Sequence, residues 1–127
     1  MNEQLISYDS VVFDKEKKTF TILDGTKGTY SYTDIKKCSI QCEDAKYRGK
    51  TPPFTHTVLA GVTMVILMME PSIYVGLKIQ MKDDQLLGIY TSKEKTRMNT
   101  DLYKKDKEEA EKIKHLIDRI IEKYGNK

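Results

Sequence analysis

The sequence predicts a mainly β protein with one C-terminal α-helix, an α+β arrangement of about seven antiparallel strands followed by that helix. Short segments of β-branched and aromatic residues, separated by turn residues, extend from about residue 8 to residue 92. Apolar residues alternate strictly over 73–81, and a helical period replaces that alternation from about residue 100 to residue 124. The length of 127 residues suits one domain, so we expect a single domain over 1–127.

The first predicted strands form a hairpin. SYDSVVFD and KTFTIL are rich in β-branched and aromatic residues, and the charged turn KEKK separates them. The glycines of DGTKGT end the second strand and lead into YSYTDI. In KKCSIQCED, which follows, Cys38, Ile40 and Cys42 fall on one face, so we predict a third main strand that is half buried.

A long apolar block follows the basic, proline-containing loop AKYRGKTPP. The 19 uncharged residues over 51–69 approach the ~20 that a membrane-spanning helix needs. The strongly apolar part, Val58 to Met69, is only twelve residues long and contains Gly61. Two short buried strands, Phe54 to Ala60 and Val62 to Met69, are therefore the favoured prediction.

Two other interpretations of this block stay open at the level of sequence. It could form an exposed apolar patch for a partner, or it could contact a membrane. In the first case the contact surface would include three methionines, Met64, Met68 and Met69.

The last predicted hairpin begins with the clearest strand pattern in the chain. Its alternating apolar residues are Ile73, Val75, Leu77, Ile79 and Met81. This period predicts one face in the core and one face in water. Asp83, Asp84 and Gln85 make the turn, and LLGIYTS returns with Leu87 and Ile89 directed inward.

One amphipathic helix closes the predicted fold. Thr100 or Asp101 would cap its N-terminus, and Gly125 would end it. Its apolar residues form a single stripe: Ala110, Ile113, Ile117, Ile120, Ile121 and Tyr124.

Composition narrows the classes of function. The net charge is only +3, and Lys outnumbers Arg 19 to 3, which disfavours nucleic-acid recognition because Arg supplies the bidentate contacts to guanine and phosphate. The segment MNEQLISYDS has neither the basic nor the apolar region of a secretory signal, so we expect a cytoplasmic protein. Cys38 and Cys42 would then be reduced core residues.

Two stretches carry a resemblance to a known family. SVVFDKEKKTFTI followed by YSYTDIKKCSI is similar to the opening of bacterial pleckstrin-homology and GRAM-type domains, where a Tyr-x-Asp-Ile step leads into the third strand. Tyr32, Asp34 and Ile35 match that step. GLKIQMKDDQLLGIYTSKEK and the helix after it resemble the last hairpin and closing helix of that family. The resemblance implies a bent antiparallel sheet or barrel of about seven strands, closed at one end by the helix.

The resemblance also implies a place for anion binding. Phosphoinositide-binding members of the family hold phosphates with basic side chains on the first strand pair and its loop. The corresponding residues here are Lys15, Lys17 and Lys18, and three further basic residues, Lys46, Arg48 and Lys50, follow the third strand. If both loops lie at the same open end of the sheet, they would attract an anionic membrane surface at the inner face of the membrane.

The sequence contains no motif for catalysis, a metal or a cofactor, so we expect a protein that is not an enzyme and needs no cofactor. The favoured hypothesis is a non-catalytic interaction module that binds a protein partner or itself. The alternative is a peripheral module that binds anionic lipid through the basic loops.

Overall fold

The structure, a computed structural model, describes residues 5–58, 72–97 and 100–125. Over these residues the chain is mainly β with one C-terminal helix, as the sequence predicts. The strands are β1 (Leu5–Ser7), β2 (Val11–Asp14), β3 (Thr19–Ile22), β4 (Gly28–Ser31), β5 (Ile35–Asp44), β6 (Thr57–Val58), β7 (Ile73–Met81) and β8 (Leu86–Tyr90). The helix α1 spans Asp101–Ile120, and a π-helical turn, Ile121–Gly125, continues it.

The strands form two antiparallel sheets of four strands each. The N-terminal sheet has the order β1-β2-β3-β4, and the C-terminal sheet has the order β6-β5-β7-β8. Backbone hydrogen bonds connect the two sheets beside β8. The Tyr90 N–H donates to the carbonyl of Asp24 at 3.0 Å, and the Thr26 N–H donates to the carbonyl of Gly88 at 2.9 Å. The turn after β3 therefore covers the outer edge of β8.

Both sheets and the helix contribute to one hydrophobic core. The N-terminal sheet supplies Val11, Phe13, Phe20 and Ile22, and the C-terminal sheet supplies Cys38, Cys42 and the inward residues of β7 and β8. From the predicted helical stripe, Ala110, Ile113, Ile117 and Ile120 are buried, while Ile121 and Tyr124 are half-buried against the core. The stripe therefore faces the sheets, as its spacing predicts.

The helix begins as the sequence predicts, at one of the two expected caps. The Thr100 hydroxyl accepts a hydrogen bond from the Tyr103 N–H at 3.2 Å, so Thr100 is the cap rather than Asp101. One buried polar contact was not predicted. Asp106 is buried on α1, and its Oδ2 accepts a hydrogen bond from the Ser92 hydroxyl at 2.7 Å. This contact holds the first turns of the helix against the chain that follows β8.

The sequence predicts that one face of β7 is exposed to water, and this prediction is wrong at the centre of the strand. Gly76, on that outer face, is buried because the Phe54 ring covers it, and a Cβ at Gly76 would lie 2.5 Å from Cζ of Phe54. Gly88 on β8 is covered in the same way by Pro53. The sequence predicts that a strand begins at Phe54, and this prediction is wrong. Phe54 has a left-handed backbone (φ 59°), and β6 begins only at Thr57.

The rest of the apolar block lies outside the described residues. This concerns the predicted strand Val62 to Met69 and the predicted contact surface of Met64, Met68 and Met69. Within the described ranges, no helix is both long enough and apolar enough to cross a bilayer.

Candidate binding cleft

A fully buried carboxylate lies on the outer face of the C-terminal sheet. Oε2 of Glu43 on β5 accepts a hydrogen bond from the Phe54 N–H at 2.9 Å, and Oε1 accepts one from the Tyr90 hydroxyl. A buried charge is tolerated only when it is well hydrogen-bonded, and these two donors meet that need. Burial and the bond to Glu43 raise the pKa of Tyr90 above its ordinary value, so its hydroxyl keeps the proton that it donates.

Glu43 thereby fastens one end of the segment after β5 to the sheet. We call residues 45–54 the cleft loop. It starts with a short 3-10 turn, Ala45–Tyr47, in which the Asp44 carboxylate accepts a hydrogen bond from the Lys46 N–H at 3.0 Å. It ends at Phe54, whose N–H is bound by Glu43. Both ends of the cleft loop are therefore held by side chains of β5.

The middle of the cleft loop is held by Arg48. Its guanidinium carbon lies 4.4 Å from the ring centre of Tyr74 and 4.3 Å from that of Tyr90, within the range of cation–π attraction. One terminal nitrogen lies 2.7 Å from Oδ1 of Asp24, and the other donates to the carbonyl of Ser92 at 3.2 Å. Arg48 therefore connects the cleft loop to the turn after β3 and to the chain after β8.

Between the cleft loop and the turn after β3 lies a cleft of about 490 Å³. Its walls are Asp24, Gly25 and Lys27 on one side and residues 48–53 on the other, with Tyr90 between them. The charged lining residues are Lys27, Arg48 and Lys50 against Asp24, which is three positive charges less one negative, or +2. Lys27 and Lys50 are exposed, and within the described part of the chain neither forms an ion pair. The cleft is therefore electropositive, and its two lysines are accessible.

The structure separates the two basic loops, which the sequence predicts to lie at one end of the sheet. Lys15, Lys17 and Lys18 lie in the turn before β3, where the Tyr32 N–H donates to the carbonyl of Lys18 at 2.9 Å. Arg48 instead contacts Asp24, beyond the far end of β3. The expectation that both loops lie at one end of the sheet is wrong, because β3, β4 and β5 intervene between them. β4 pairs antiparallel with β3 and returns the chain to Tyr32 beside Lys18, and β5 then leads it away again to Arg48.

The structure brings together only part of the predicted basic set. Arg48 and Lys50 line the cleft, whereas Lys46 does not, and its ammonium lies 6.0 Å from the ring centre of Tyr47. Lys27 lines the cleft but was not among the predicted residues. Lys27 lies in the glycine turn DGTKGT, where both glycines take positive φ angles, and that pattern does not mark the lysine as a lining residue.

The other residues capable of chemistry lie apart from this cleft. The exposed His56 ring stacks on Tyr47 with ring centres 3.9 Å apart, and His115 is exposed on α1. Cys38 and Cys42 are buried free thiols, and burial raises the pKa of Cys38 to about 12. In the described ranges, no three His, Cys, Asp or Glu side chains come together in a way that could hold a metal ion.

No protein-family model matches the chain, and neither the curated proteins nor the solved structures give a significant match.

Proposed function

We propose that this chain is a non-catalytic interaction module of pleckstrin-homology-like fold that binds a protein partner in the cleft. The order of elements supports the fold: two antiparallel sheets are followed by a single helix that packs on both. A fold of this kind serves many functions, so the cleft, and not the fold, carries the functional proposal.

The single observation that carries it is that the cleft is preformed. Glu43 and Arg48 hold the cleft loop through a buried carboxylate, an ion pair and two aromatic rings. A recess whose walls are already ordered loses little conformational entropy on binding, which favours affinity. Its volume lies in the range of ligand-binding pockets, about 300–1,000 Å³.

The separation of the basic loops argues against the lipid-binding alternative. Lys18 lies before β3 and Arg48 contacts Asp24 beyond its other end, so the two basic loops do not form one basic patch. Membrane attraction grows by only ~1 kcal/mol per basic residue near the surface, so half of the predicted set gives weak binding. A recess with ordered walls suits a protruding protein segment better than a flat lipid surface.

Photocrosslinking in the native host tests the proposal. A p-benzoylphenylalanine replaces Thr51, which lines the cleft, or Lys36, which is exposed at the other end of β5. We expect a discrete crosslinked species from the Thr51 position and none from the Lys36 position. A species of twice the chain mass identifies a second copy of the chain as the partner.

Two results would overturn the proposal. The first is equal crosslinking, or none, from both positions. The second is sedimentation of the purified protein with phosphatidylglycerol vesicles in low salt that is abolished by Lys27→Glu with Lys50→Glu, which would assign the cleft to a membrane surface instead.

A further inference from the structure

The charge and the walls of the cleft identify the chemistry of its partner. Resting on the proposed function, we infer that the cleft binds an acidic peptide segment of the partner, with the carboxylates placed between Lys27 and Lys50. These two lysines stand on opposite walls, one on the turn after β3 and one on the cleft loop.

The ion pair between Asp24 and Arg48, which joins the two walls of the cleft, decides which cations are available. Arg48 is already neutralised by Asp24 at 2.7 Å, and its guanidinium is enclosed by Tyr74 and Tyr90. The net charge of +2 in the lining therefore resides on Lys27 and Lys50. A cleft lined by an excess of one sign of charge focuses the field, which attracts an oppositely charged group.

The available cations are lysines, and the anionic groups of an unmodified peptide are carboxylates. An arginine fork, by contrast, makes two parallel hydrogen bonds to a carboxylate or a phosphate. The only arginine in the lining has its fork directed at Asp24 and Ser92. Lysine ammonium groups are point charges on flexible stems, and they donate hydrogen bonds to carboxylates over a wide range of geometries.

The uncharged walls favour a peptide over a small anion. Pro52, Pro53 and Tyr90 also line the cleft, so its lining presents apolar surface beside the two lysines. A peptide can pack its stems and backbone on that surface while its carboxylates reach the lysines. A free inorganic anion would leave the apolar walls uncovered.

Fluorescence anisotropy with a labelled oligoglutamate peptide of about six residues tests this inference. We expect binding that weakens about tenfold or more for Lys27→Glu with Lys50→Glu, since each exposed charge pair contributes modestly and reversal doubles the effect. The matched control is Lys15→Glu with Lys17→Glu, which makes the same change of net charge at the opposite end of the sheet. We expect this control to bind within about twofold of the wild type. An oligolysine peptide should not bind.

The possible outcomes separate the inference from the proposed function. Equal loss in both double variants means attraction by net charge alone and overturns the inference. Absence of oligoglutamate binding, or tighter binding of a phosphoserine peptide of matched charge, also overturns it. If either occurs while Thr51 still crosslinks to a partner, the proposed function stands and only the acidic chemistry is wrong. If oligoglutamate binds in the cleft but no crosslink forms in cells, the proposed function fails and the cleft is an acidic-peptide site without a partner there.

Discussion

Replacing Glu43 tests whether its buried carboxylate is what fastens the cleft loop to the sheet. Glu43→Ala removes the only acceptor found for the Phe54 N–H and for the Tyr90 hydroxyl within the described residues. Glu43→Gln keeps an amide oxygen for the Phe54 N–H, and its NH₂ group can donate to the Tyr90 oxygen once that hydroxyl rotates. The two variants therefore differ in satisfied hydrogen bonds and not only in charge.

The expected magnitudes follow from these bonds. Each buried polar group left without a partner costs about 1–3 kcal/mol, so Glu43→Ala should lower the free energy of unfolding by about 2–6 kcal/mol. Glu43→Gln replaces two bonds to a charged acceptor with neutral ones, and each exchange costs about 1 kcal/mol. The glutamine variant should therefore lose about 2 kcal/mol, at the low end of the range for alanine.

Urea unfolding followed by circular dichroism measures both values, because the chain has no Trp to report by fluorescence. With a slope of about 2 kcal/mol per molar urea, the alanine variant should shift the midpoint by about 1–3 M. The control Glu16→Ala changes an exposed glutamate in the turn before β3 and should stay within about 0.5 kcal/mol of the wild type. An alanine variant no less stable than this control would refute the account of the cleft loop.

Three further predictions concern the sheet, the helix and a thiol. Gly88→Ala should cost about 1–3 kcal/mol in urea unfolding, because the new Cβ would lie 2.3 Å from Cβ of Pro53; an unchanged midpoint would mean that Pro53 does not cover the sheet. Thr100→Ala should cost about 1 kcal/mol by leaving the Tyr103 N–H without its cap, whereas Thr100→Ser should restore most of that stability. The folded state raises the Cys38 pKa from 9.0 to about 12 and so binds the thiol proton more tightly than the unfolded state. Stability should therefore fall as the pH rises from about 9 towards 12, and Cys38→Ala should remove that part of the decline in unfolding titrations.

Local periodicity predicted the inner half of the fold. The inward residues of β7 and the stripe of α1 are buried as their spacings require, because each pattern depends only on neighbours in the chain. The outer face of the C-terminal sheet was not predictable in this way. Gly76 is buried by Phe54, a residue over twenty positions earlier in the chain that takes a left-handed conformation, and neither fact has a periodic signature.

The cleft itself has no signature in the sequence, although two of its residues, Arg48 and Lys50, belong to the basic loops that the sequence offers for anion binding. The wrong placement of those loops at one end has an identifiable cause, because the sequence predicts YSYTDI as a lead into the third main strand and not as a strand. In the structure, β4 is a strand of its own that returns the chain to Tyr32 beside Lys18, and β5 then leads it away again to the second loop. A lysine in a short glycine turn, such as Lys27, has no sequence pattern that distinguishes it from other solvated lysines.

The position of α1 in the chain has a consequence for biosynthesis. The helix is translated after every strand that the structure describes, yet Ala110, Ile113, Ile117 and Ile120 complete the core against both sheets. Until those residues leave the ribosome, the inner faces of the sheets, including Phe13 and Phe20, have no helix to cover them. The nascent chain then exposes hydrophobic surface. A ribosome that stalls before Asp101 would release a product prone to aggregation.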